Sequence, residues 1–133
     1  VVLGVGCAGR LLLLPSLGYH APGGRVSTWY LRDGTRVRFF KREHDPPGRD
    51  TVKVLEATRP GGEPREYPFA VWHTAYKWVE LRADAEQRVI WVVDTGSKRV
   101  GCSLELDTGR VTDEGGSHPR GVGLSSGQVV ARE

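Results

Sequence analysis

The sequence predicts an all-β fold: an antiparallel β-meander forming a small sandwich or open barrel, behind an apolar N-terminal leader and ahead of a flexible C-terminal tail. Three observations carry this. Runs of β-branched and aromatic residues recur from about residue 25 onward. Glycine-containing turn signals such as Asp33-Gly34 and Asp94-Thr95-Gly96 punctuate them. No stretch sustains the 3.6-residue apolar period of an amphipathic helix. A chain of 133 residues suits one domain, and folding at that size buries roughly two-thirds of the unfolded surface. The expected organisation is a leader at 1–24, a β-domain of seven or eight strands at 25–113 and a loose end at 114–133.

The leader opens "VVLGVGCAGRLLLLPSLGY", the most apolar part of the chain. A spanning helix needs about 20 mainly apolar residues, and Arg10 in this run costs roughly 2.5–3.5 kcal/mol on insertion scales. It is expected to be the remnant of a signal peptide or anchor; the alternative is a first core element. Gly6-Cys7 hints at a lipoprotein site, but Gly4 stands where a large aliphatic residue is usual. With no methionine in the sequence, a chain processed at its start is expected. Arginine outnumbers lysine fifteen to four, Ile90 is the sole isoleucine and asparagine is absent, a profile that points to a GC-rich, bacterial genome.

"RVSTWYLRDGTRVRFFKRE" then holds two strands joined at Asp33-Gly34, a strong hairpin signal. "HDPPGRD" breaks the ladder, because prolines 46 and 47 cannot donate to it. "TVKVLEA" alternates, with Val52 and Val54 on one face and Lys53 on the other, and "RPGGEP" is a loop. "YPFAVWHTAYKWVELRA" is aromatic-rich, with a break expected near Thr74. "RVIWVVD" is apolar at Val89 to Val93 and predicts a central strand buried on both faces. "VGCSLEL" alternates through Val100, Cys102, Leu104 and Leu106, so it is expected to be half exposed, with Cys102 facing the core. Trp78 and Trp91 are expected to be near neighbours across the 82–87 turn. Trp29 should matter less if its hairpin forms an edge.

"WVVDTGS", residues 91–97, resembles the catalytic signature of aspartic proteases. That chemistry needs two such loops face to face, so that two carboxylates share a proton. The second Asp-Thr-Gly, at 107–109, comes 13 residues later, at the far end of a connected strand that holds the two apart. A turn explains both copies: aspartate bonds its own backbone and glycine supplies positive φ. The stretch "YKWVELRADAEQRVIWVVDTGSKRVGCSLELDTGRV", residues 76–111, is similar to one blade of the WD/NHL-like β-propellers of bacterial surface and periplasmic proteins. The likeness implies an antiparallel meander; a propeller requires at least four blades of about 40 residues.

Other chemistry is thinly represented. Neither a P-loop, a dinucleotide fingerprint nor a calcium loop occurs. His20, His44, His73 and His118 lack zinc-type spacing, so no metal and no cofactor is expected. A thiol site would have to join Cys102 to His73 and Asp94 through space. Cys7 and Cys102 make one disulfide arithmetically possible without a dense framework.

Binding candidates come from two regions. Arg36, Arg38, Phe40 and Arg42 share a strand face and suit a phosphate backbone with a stacked base; the bland alternative is an edge or outer strand whose charge blunts aggregation. The aromatics Tyr67, Phe69, Trp72, Tyr76, Trp78 and Trp91 suit a sugar or peptide groove, with Trp72 and Tyr76 the chosen pair; a plain β-core is the alternative. A net charge of +3 is too small to argue for nucleic acid. The functional expectation is therefore a non-catalytic extracytoplasmic module of the bacterial cell envelope, binding a protein or glycan or serving structurally. Membrane contact would run through the leader. A small hydrolase around Asp94 or Cys102 is the second reading, and a nucleic-acid binder using Arg36 to Arg42 the third.

Overall fold

Runs of alternating apolar residues separated by tight turns leave the chain few options besides hairpins, and hairpins are what form. The computed structural model describes residues 23–43, 51–70 and 78–133. Among these are nine strands and no helix: β1 (Gly23–Tyr30), β2 (Arg36–Glu43), β3 (Thr51–Thr58), β4 (Arg65–Ala70), β5 (Val79–Ala83), β6 (Val89–Asp94), β7 (Arg99–Glu105), β8 (Arg110–Asp113) and β9 (Gln128–Val129). They build two antiparallel sheets, ordered β1-β2-β3-β4 and β8-β7-β6-β5-β9. The fold is all-β as expected, an open pair of sheets in sandwich form and not a closed barrel.

One apolar cluster fills the space between the sheets. Trp29, Val37, Phe39, Leu55 and Ala57 come from the first sheet; Leu81, Ile90, Val92, Cys102 and Leu104 come from the second. Each set follows the two-residue period of its strand. Pro68 is accommodated in β4 because β4 is an edge strand. At the β1–β2 turn Gly34 takes φ +90° and Asp33 Oδ1 accepts the Thr35 N–H at 2.8 Å, the chemistry that Asp-Gly implies.

The two ends of the sandwich differ. At one end the β1–β2 turn meets the β5–β6 turn, where Arg32 N–H donates to Gln87 Oε1 at 2.7 Å. Arg59 there reaches both Asp33 (3.7 Å) and Asp107 (3.9 Å). At the other end lie the end of β2, the starts of β3 and β5, the end of β4 and the β6–β7 turn. Arg132, bridged to Trp29 of the first sheet, donates there to the carbonyl of Val79 at the start of β5.

β6 is central in its sheet and buried on both faces, as the continuous apolar run predicts. The second face is covered by the segment after β8. Trp91 Nε1–H donates to Gly123 O (2.9 Å), Ser103 Oγ bonds His118 Nδ1 (2.9 Å), and Arg82 reaches the carbonyls of Ser126 and Gly127 (3.2 Å each). β9 then adds to the edge of β5, Val130 enters the core, and the Glu133 N–H reaches Thr28 O at 2.9 Å in the other sheet.

Four sequence expectations change as a result. Residues 114–133 are a packed strap with a ninth strand, where glycine and serine content suggests a loose end. Residues 101–104 of β7 are buried on both faces rather than half exposed, because the strap covers Ser103. Trp78 lies by Thr95, whose N–H donates to Trp78 O (2.8 Å), whereas Trp91 pairs with Arg82. The register separates the two tryptophans. Trp29 lies on an edge strand yet is 1% exposed, with the guanidinium of Arg132 5.5 Å over its ring.

Candidate functional site

Asp94 ends β6 on the core-facing side, opposite Val79. It is 2% exposed, and its carboxylate is consumed locally. Oδ1 accepts the Gly96 N–H (3.1 Å), Oδ2 accepts the Ser97 hydroxyl (2.8 Å), and the Asp94 carbonyl accepts the Lys98 N–H (2.8 Å). The left-handed residue of this turn is Lys98 (φ 58°), not Gly96 as the sequence suggests. Gly96 instead fits a narrow space: a Cβ there would lie 3.3 Å from Asp94 Oδ1 and 3.4 Å from Trp78 Cδ1. In the second Asp-Thr-Gly the glycine does take positive φ, at Gly109 (+75°). Asp107 sits at the opposite end of β7, exposed and 3.0 Å from Arg88.

Cys102 is fully buried, and burial pushes its thiol far above the usual range. It is free. Cys7, His20, His44 and His73 lie outside the described residues, as do residues 1–22 of the leader and the candidates Trp72 and Tyr76. His118 is partly buried; desolvation holds its pKa below the ordinary value, against an opposing pull from Asp113. No group of three metal-ligating side chains occurs among the described residues. No helix among them is long and apolar enough to cross a membrane.

The arginine strand is not an edge: β2 lies between β1 and β3. Arg38 grips Glu56 with two bonds (2.7 and 3.1 Å), and Arg36 approaches the same carboxylate at 3.6 Å. Glu56 is 4% exposed, so the pairing neutralises a carboxylate that burial would otherwise penalise. Phe40 lies under the Arg38 guanidinium (5.4 Å) and is 2% exposed, which denies its ring to a stacking base. Arg42 takes its place in the ladder opposite Val52. Phe40 and Val54 are buried on the face away from the inter-sheet cluster.

The end of the sandwich that holds the β6–β7 turn has a different character. Lys41 and Lys53 are direct partners in the β2–β3 ladder, on the face that carries Phe39 and Leu55 into the core. Desolvation, and then repulsion from Lys41, hold the Lys53 ammonium below the ordinary lysine pKa; Asp94 opposes both. Trp78 stands beside this group with 60% of its surface exposed, the most of any large apolar side chain described. Lys98 is exposed in the adjoining turn. Lys41, Lys53 and Lys98 thus lie toward one end of the sandwich, a placement that only register and sheet pairing produce. The signal in sequence was the lysine at core phase in "TVKVLEA". Comparison of the chain with protein-family models, with curated proteins and with solved structures finds no match.

Proposed function

We propose that this chain is a non-catalytic binding or structural module of the bacterial cell envelope, acting outside the cytoplasm on a protein or glycan. One observation carries the non-catalytic part: the carboxylate of Asp94, the centre of the protease-like motif, is engaged by its own turn. Both oxygens accept hydrogen bonds from Gly96 and Ser97. Such a carboxylate starts a turn and does not activate water. The burial of the Cys102 thiol supports the same reading, since the thiolate is the nucleophile. The location part rests on the apolar opening at 1–24.

The test is turnover. The full chain, assayed on a peptide library between acid and neutral pH, should release no product above a heat-inactivated sample. Cleavage that disappears in Asp94→Asn and in pepstatin-type inhibitors would overturn the proposal. For location, the native chain should be found by cell fractionation in the envelope or periplasm; recovery in the cytoplasm defeats that part alone.

A further inference from the structure

We propose that the strap is an exchangeable arm: residues 117–133 of one copy seat on the second sheet of another, and the reciprocal exchange closes a two-fold dimer. This goes beyond the non-catalytic module reading and does not depend on it.

The face under the strap is built to receive a main chain. Trp91 Nε1–H donates to Gly123 O (2.9 Å), and the Arg82 guanidinium donates to the carbonyls of Ser126 and Gly127 (3.2 Å each). These donors read backbone, and shape supplies the selectivity. Gly127 takes φ +74°, and a Cβ there would meet the Trp91 ring at 2.5 Å. The segment that seats must therefore carry glycine at that point. His118 Nδ1 meets Ser103 Oγ at 2.9 Å, and β9 adds to β5 with Val129 opposite Arg82 and Gln128 opposite Ala83. A second copy of the chain offers the same residues at the same spacing.

The partners Arg82, Ala83, Trp91 and Ser103, with Thr28 in the first sheet, all precede the connector between β8 and the strap. The same bonds form whichever chain supplies the strap, so the connector decides. It is a tight reversal. Gly115 takes φ +92°, the Gly116 N–H donates to Asp113 O (2.9 Å), and a Cβ on Gly116 would lie 2.9 Å from Thr112 Cγ2. Opened into an extended form, which glycine adopts freely, it carries the strap away from its own sheet. Trp91 and Ser103, each 1% exposed, then meet water until a strap from either source returns. Exchange of an identical element is a low-cost route to a closed dimer. The tether favours the chain's own strap below about millimolar concentration, and a connector too short to fold back removes that advantage.

Two full-length chains in a Cys7→Ser background test this, one carrying Arg82→Cys and the other, with a size tag, Val129→Cys. The two positions are ladder partners, so a disulfide joins the chains where the strap of one sits on the sheet of the other. Refolded together at about 1 mM and oxidised, they should give a cross-linked heterodimer. Refolded apart in dilute solution and mixed just before oxidation, they should give only background cross-linking. Adding Gly127→Val to the Val129→Cys chain should abolish the cross-link. The otherwise unaltered chain lacking Gly115 and Gly116 should be a dimer by light scattering even when dilute. No heterodimer after joint refolding, an equal yield on late mixing, a cross-link that survives Gly127→Val, or a folded monomer from the deletion would each overturn the proposal. None of those results bears on the non-catalytic reading, which stands or falls on the turnover assay.

Discussion

Asp94 holds its turn with both carboxylate oxygens, and the two bonds place different demands on a replacement. In Asp94→Asn the side-chain oxygen still accepts from Gly96, and the amide donates to the Ser97 hydroxyl, so the loss should stay below about 1 kcal/mol. Asp94→Ala removes both acceptors and should cost about 1–3 kcal/mol, since each bond is made to a charged group. Because Lys98 carries the left-handed φ, Lys98→Val should destabilise by at least about 1 kcal/mol, whereas Lys98→Gly is tolerated. Urea unfolding of the four variants gives the ranking; an intolerant Asn or a tolerant Val contradicts the turn geometry. His118 makes the other residue-level prediction. Its folded pKa is lowered by burial, so the unfolded chain binds the proton more readily. Stability is therefore complete above the unfolded histidine pKa of about 6.5 and falls as pH drops below it. Thermal melts between pH 5 and 7.5 should show that slope in the wild type and a shallower one in His118→Gln.

At the level of elements, β6 and the strap that covers it form one packing unit. Trp91 is 1% exposed between Gly123 and Gly127, and Trp91→Ala should cost about 3–5 kcal/mol. Trp29→Ala belongs in the same range, since the C-terminal residues cover its edge strand. Gly127 has φ +74°, and a Cβ there would lie 2.5 Å from the Trp91 ring and 2.8 Å from Ala83 O. Even Gly127→Ala should therefore unfold the strap or displace the tryptophan. Truncation after Asp113 removes β9, Val130 and the cover over Trp91 and Ser103. The truncated chain should aggregate or lose cooperative melting; a cooperative fold of wild-type stability would show that the strap is dispensable.

For the whole molecule, the sharpest question is what residues 1–20 contribute. If they act only as a leader, deleting them should leave a soluble chain with an unchanged melting temperature. If they pack instead as core, their removal exposes apolar surface worth about 25 cal/mol per Å², enough to be plain in a melt. That outcome would make the apolar opening part of the fold and remove the basis for an envelope location.

Much of the architecture was legible in the sequence because strand physics is local. The Asp33-Gly34 hairpin, the alternation of β3 and the two-faced burial of β6 each follow from side-chain period and turn chemistry within a few residues. The same holds for the reading of Asp94 as a turn residue, since its partners are two and three positions away. What stayed hidden depends on contacts between distant segments. The Gly/Ser composition of 114–133 describes a backbone that gains order only from Trp91, Ser103 and Arg82, which lie 15 to 45 residues earlier. Arg36 and Arg38 read as an exposed basic face until sheet pairing sets Glu56 beside them. The meeting of Lys41, Lys53, Asp94 and Trp78 requires both ladder registers and the apposition of two sheets. Local patterning determined the strands and their turns; only the tertiary structure decided which charges meet, because charge pairing acts through space and not along the chain.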